Sequence, residues 1–119
     1  MTKLAKLCRE TTAETLGIEL SYDEASICLI DDVILKAWPK GATGDPEQLY
    51  QIWGSFLGEA MRRVVGGECV ESEGTVGVKV GHIVTYPLSK IQKRFENGLE
   101  DSITFYYKAL KTLAKSKAP

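Results

Sequence analysis

DPEQLYQIWGSFLGEAMRRVVGG, residues 45–67, holds the start, the apolar face and the stop of one helix in unbroken order. Asp45 offers a capping side chain, and Pro46 takes the first helical position, where its missing N–H costs nothing. Leu49, Ile52, Trp53, Phe56, Leu57, Ala60 and Val64 recur at three and four residues, which keeps them on one face. Gly66-Gly67 ends the run, and the helix reads as the spine of the core. Gly54 and Gly58 lie one turn apart beside the stripe. A glycine inside a helix costs about 1 kcal/mol relative to alanine, so another backbone is expected to approach closely there.

Toward the N-terminus, Thr2 to Leu16 carries a weaker helical pattern through Leu4, Leu7 and Cys8, and stops at Gly17. Ser21-Tyr22-Asp23-Glu24 matches a capping box, so a second helix is expected from Asp23 to Trp38. Its stripe is Ile27, Ile30, Val33, Ile34, Ala37 and Trp38, with Asp31 at one margin, and Pro39 closes it. Residues 40–44 form a loop by composition.

Beyond Gly67 the period of the apolar residues falls to two, the signature of strands. Residues 68–72, 75–80 and 83–86 read as three strands joined by turns at Glu73-Gly74 and Gly81-His82, with Val76, Val78 and Val80 on one face. Pro87 opens a short helix to Asn97 with Leu88, Ile91 and Phe95 inward. Asp101 is expected to cap a last helix whose shared face is Ile103, Tyr106, Tyr107, Leu110 and Leu113, and Lys115 to Pro119 to fray. The order is α-α-α-β-β-β-α-α: an α+β fold in which a three-stranded antiparallel meander packs on helices, one domain over residues 1–119.

Composition narrows the function classes. With 44% hydrophobic and 26% charged residues the 119-residue chain is an ordinary globular protein, and its net charge of −1 argues against nucleic acid. The charge is uneven: residues 1–60 hold 5 basic and 10 acidic side chains, and residues 61–119 hold 10 and 6. Packing of the two halves on each other, or plain solvation, is the simplest reading of that asymmetry. No run approaches the roughly 20 apolar residues of a membrane span, and the N-terminal segment is too acidic for a signal peptide. Cys8, Cys28 and Cys69 are an odd, widely spaced set, which suits reduced thiols in a cytoplasm; Cys28 reads as core, Cys8 and Cys69 as open to solvent. One histidine far from the cysteines supports neither a metal site nor a cofactor.

No catalytic set stands out. His82 sits at a turn, Asp31-Asp32 point about 100° apart on a helix, and Gly41-Ala42-Thr43-Gly44 lacks the Lys-Ser/Thr of a phosphate loop. Glu59 lies within helical reach of Arg62 and Arg63, as a surface ion pair. Lys90, Lys93 and Arg94, three and four residues apart, read as one basic patch opposite Leu88, Ile91 and Phe95 and are the candidate interaction surface. A pocket between the sheet and the third helix, lined by Trp53, Tyr86 and Tyr107 and bearing Glu59 or His82, is the alternative site.

The combination of GSFLGE (residues 54–59), Gly66-Gly67 with Glu68-Cys69-Val70, YPLSKIQKRFENG (residues 86–98) and Asp101-Ser102-Ile103 with Phe105-Tyr106 resembles a family of small uncharacterised bacterial proteins. Cys69 stands where such proteins usually carry an aromatic residue. The resemblance implies a bacterial cytosolic protein of shared fold and brings no established activity. The expectation is therefore a cytoplasmic, non-enzymatic protein-interaction module, a regulator, adaptor or immunity-type protein that binds another protein. A small-ligand-binding or catalytic domain is the alternative.

Overall fold

The computed structural model describes residues 2–39, 41, 44, 46–72 and 75–116, with the side chains of Thr2, Ser72, Thr75 and Ala114 to Ser116 left aside. The elements are α1 (Thr2–Leu16), α2 (Glu24–Ala37), α3 (Pro46–Val65), β1 (Glu68–Ser72), β2 (Thr75–Val80), β3 (Ile83–Thr85), α4 (Pro87–Asn97) and α5 (Ile103–Ser116). One 3-10 turn, Gly98–Asp101, joins the last two helices. The fold class and the element order expected from the sequence are those observed. Asp45 and the Glu73-Gly74 turn lie outside the described residues.

Local chemistry accounts for most boundaries. Gly17 adopts φ 67° and donates its amide to Ala13, the left-handed stop that only glycine takes without cost. The Ser21 capping box is not formed. Asp23 is the cap of α2, accepting from the Ser26 amide at 2.9 Å, while the Ser26 hydroxyl accepts the Ser21 amide instead. An aspartate directly before the helix satisfies the first-turn amides without the glutamate of a box.

The sheet is a meander, β1-β2-β3, antiparallel throughout. Cys69 faces Val78 across the first pair, and Val80 faces Ile83 next to the second turn. Period two then puts Val78 and Val80 on the helical side, where both are buried.

Helix α3 is the spine. Trp53, Phe56, Leu57, Ala60 and Met61 are buried along it and join one cluster with Ala5 and Cys8 of α1, Ile27, Ile30, Val33 and Ile34 of α2, Val78 and Val80 of β2, Ile91 and Phe95 of α4, and Ile103, Tyr107 and Leu110 of α5. Each such large apolar side chain contributes roughly 1.5–3 kcal/mol on burial. Trp38 meets Trp53 and Phe95 edge-on, closing the end of the core near the start of α3. A β-carbon on Gly54 would stand 2.7 Å from the Cα of Leu88, so the expected close approach exists and α4 makes it.

The cysteines divide differently from expectation. Cys8 is buried, because its face of α1 packs on α3; Cys28 is half-buried and Cys69 exposed, and all three are free thiols. Burial pushes the Cys8 thiol up to about 12. The native protein is therefore expected to release about one thiol's worth of colour quickly with Ellman's reagent at pH 8, from Cys69, while Cys8 reacts only in denaturant. A Cys69→Ser variant that kept the fast phase would refute this.

Candidate functional site

Two buried carboxylates organise the polar interior. Asp31 is the first. Its Oδ1 accepts from Arg94 Nε at 2.8 Å and from the Ile103 amide at 3.0 Å; its Oδ2 accepts from Ser102 Oγ at 2.8 Å and the Thr104 amide at 2.9 Å. One side chain of α2 thus neutralises an arginine of α4 and caps the start of α5, whose first amides have no partner within their own helix. Ser102 Oγ adds a local cap by accepting the Phe105 amide. Asp101, the cap expected from the sequence, instead ends the 3-10 turn and pairs with Lys90.

Arg94 consequently leaves the surface. It is 4% exposed, and its Nη2 also donates to the Asp31 carbonyl. The candidate basic patch is reduced by one member, because Arg94 falls three residues after Ile91 and beside Phe95, on the inward face of α4. Lys90 Nζ is 2.9 Å from Asp101 Oδ1 and 5.6 Å from the centroid of the Tyr106 ring, so its charge is largely matched. Lys93 stays in solvent.

Glu59 is the second carboxylate. The ion pair with Arg62 and Arg63 forms, but Glu59 is 2% exposed, so the pair is an interior one with its guanidinium ends at the surface. Hydrogen bonding from Arg62 holds the Glu59 carboxyl below its ordinary range, against the opposing effect of burial, and Arg63 adds to it. Arg63 also lies over the Tyr22 ring at 4.2 Å, with Arg9 4.9 Å from the same centroid. Glu59 is committed to this cluster and unavailable as a free base.

The other members of the alternative pocket do not come together around it. Trp53 is buried against Trp38 and Phe56. Exposed His82 occupies the turn between β2 and β3. Tyr86 packs its ring on Gly77, where a β-carbon would meet it at 3.1 Å. Tyr107 is fully buried; among the described residues its hydroxyl has no partner in hydrogen-bond geometry, and burial followed by the nearby Glu24 charge pushes it up to about 12. Because that hydroxyl makes no hydrogen bond of good geometry among the described residues and has only the nearby Glu24 carboxylate to interact with, Tyr107→Phe is expected to stay within about 1 kcal/mol of wild type in urea unfolding. A loss beyond 2 kcal/mol would show an essential partner.

Tyr86 and the two lysines do share a site. A groove of about 330 Å³ runs between β3, the start of α4 and α5, lined by Val84, Thr85, Tyr86, Ser89, Lys90, Lys93, Asp101 and Tyr106. A hydrogen bond joins the Thr85 and Tyr106 hydroxyls. Helix α4 begins here with Pro87 at its first position and no side-chain cap, which leaves its first-turn amides and positive dipole end unmatched by any capping side chain. Val84 and Tyr86 are both exposed, and Phe105, next to Tyr106 on α5, is 76% exposed. Tyr106, expected on the shared face of the last helix, is half-buried against the core and also lines the groove, whereas Phe105 and Val84 were not among the expected site residues. The signal was there: Phe105 is the aromatic left outside the Ile103, Tyr107, Leu110 face.

Among the described residues no group of three or more metal-ligating side chains converges, and no helix is long and apolar enough to cross a membrane. Comparison with protein-family models, with curated proteins and with solved structures finds no match to this chain. The chemistry of the groove is therefore the guide to function. It offers apolar contact, hydroxyls and positive charge, and its one carboxylate, Asp101, is engaged by Lys90.

Proposed function

We propose that this chain is a small cytoplasmic protein, bacterial as the resemblance implies, that acts as a non-enzymatic protein-interaction module of regulator, adaptor or immunity type. The observation that carries this reading is the groove between β3, α4 and α5, which exposed Val84 and Tyr86 line, with Phe105 exposed at the position before Tyr106 on α5. Large apolar side chains collected at one exposed place favour a protein partner over plain solvation. The reading is further supported by the fate of the ionisable groups: Asp31, Glu59 and Arg94 are occupied in structural pairs. Free thiols at Cys8, Cys28 and Cys69 agree with a reducing compartment.

The test is capture from native lysate with a tagged chain, read by mass spectrometry. A defined partner is expected, and the doubly substituted Lys93→Glu, Phe105→Ser chain should lose it while keeping its thermal melt. Arg94 is left untouched, since its removal would unsettle the fold. Equal retention by both chains would take this face out of the reading, and a bait that holds nothing above a control would end the reading itself.

A further inference from the structure

Resting on that reading, we infer that the groove receives an extended polypeptide segment in which an acidic residue is flanked by large apolar ones, laid along β3. Three features of the groove select this occupant. The first is charge. Lys90, Lys93 and Asp101 leave one net positive charge, Lys93 standing in solvent while Asp101 pairs with Lys90, and the uncapped start of α4 adds its dipole. A carboxylate is the group that matches such a place, and an acidic peptide matches it better than a basic one.

The second feature is the strand edge. Among the described residues β3 pairs with β2 alone and ends the sheet. Val80 faces Ile83 across the two-residue Gly81-His82 turn, and the Thr85 carbonyl points at β2, 3.0 Å from where a Gly77 β-carbon would stand. Antiparallel ladders alternate, so Ile83 and Thr85 bond to β2 and the amide and carbonyl of Val84 turn away from it. A backbone laid beside β3 finds one donor and one acceptor there, as in other peptide complexes formed by strand addition.

The third feature is the apolar surround. Val84 and Tyr86 line the groove together with Lys90 and Lys93 and are exposed, so apolar side chains next to the carboxylate would be covered there. A small anion would use only the charge and leave these two in water. Nucleic acid would need a broader positive surface than one net positive charge supplies.

A random peptide library displayed on phage, selected against the full chain, tests the proposal. Enriched sequences should carry aspartate or glutamate next to leucine, phenylalanine or another large apolar residue. A synthetic peptide of the enriched sequence should shift the amide resonances of Val84, Ser89 and Lys93. Lys93→Glu should weaken that peptide by about tenfold. Val84→Pro, which removes only the outward N–H of an edge strand, should weaken it comparably if it folds, and Lys93→Glu leaves the backbone alone if it does not. Enrichment without an acidic preference, no enrichment, resonance shifts elsewhere, or equal affinity for Lys93→Glu would each overturn the inference. So would a single-stranded oligonucleotide that shifted the groove resonances when the peptide did not. None of these results touches the capture of a partner from lysate, on which the broader reading stands separately.

Discussion

Asp31→Ala is expected to lower the unfolding free energy by about 3–5 kcal/mol, because it strands a buried guanidinium and two helix amides at once. Among the described residues Arg94 pairs with no other carboxylate, and it is nearly as buried as the apolar residues beside it. Domains of this size have only about 5–15 kcal/mol in total, so the variant should be partly unfolded at physiological temperature. A double variant, Asp31→Ala with Arg94→Met, should recover part of the loss by removing the unpaired charge. Recovery should be incomplete, since the Ile103 and Thr104 amides still lack their acceptor. Urea unfolding of the four chains gives the coupling directly. A single-variant loss under 1 kcal/mol would mean that solvent replaces Asp31 without penalty.

The same carboxylate predicts how stability follows pH. Burial works to raise the Asp31 carboxyl, but the Thr104 and Ile103 amides, Arg94 and Ser102 outweigh it, and its pKa lies below the ordinary range. The folded form thus releases its proton at lower pH than the unfolded form. Its contribution is complete above the unfolded value of about 3.9 and disappears as pH falls through the folded one. Wild type should lose stability below about pH 4, and Asp31→Ala should lose less over the same interval. Glu59 is shifted the same way, so the variant keeps some acid sensitivity. Identical acid profiles for the two chains would contradict the assignment.

Gly54→Ala carries the second large effect, and its sign runs against helix propensity. In isolation the change would favour α3 by about 1 kcal/mol. Here the new β-carbon would stand 2.7 Å from both the Cα and Cγ of Leu88 and 2.9 Å from Cδ1, and the Cα belongs to a backbone that cannot rotate aside. Helix α4 must move away from α3, and overpacking of this kind costs about 1–3 kcal/mol. We expect net destabilisation of about 1–2 kcal/mol after the propensity gain. Adding Leu88→Ala would clear the two side-chain clashes and leave the backbone one, so it should not restore wild-type stability. A chain more stable than wild type would show that the two helices separate freely.

Much of the fold was legible because its signals are local. The 3.6-residue stripe from Leu49 to Val64, Gly17, Pro39, and the change to period two after Gly67 each mark their element within a few residues. The close crossing at Gly54 was legible as a need without a partner: the missing side chain announced an approach, and only the fold could name Leu88. The polar interior was harder. Asp31 and Arg94 are 63 residues apart, and no short-range rule joins them. Taking lysines and arginine at three- and four-residue spacing as one patch overlooked that Arg94 shares its face with Ile91 and Phe95. Glu59 was placed with the correct arginines but on the wrong side of the surface, since the helix pattern shows who is adjacent and says little about what covers them.

The carboxylate of Asp31 also bears on the order in which the chain becomes itself. Helix α5 borrows its start from a residue made some seventy positions earlier. A nascent chain that has completed α1 to α3 carries Asp31 charged and unanswered in the midst of what will be core, so those three helices have reason not to settle alone. Only when the last quarter of the polypeptide arrives are the acid, the arginine and the waiting amides brought to terms together. The amide protons of Ile103 and Thr104 should accordingly exchange with solvent at the rate of whole-molecule opening, although they stand at a helix end, where fraying is the usual rule.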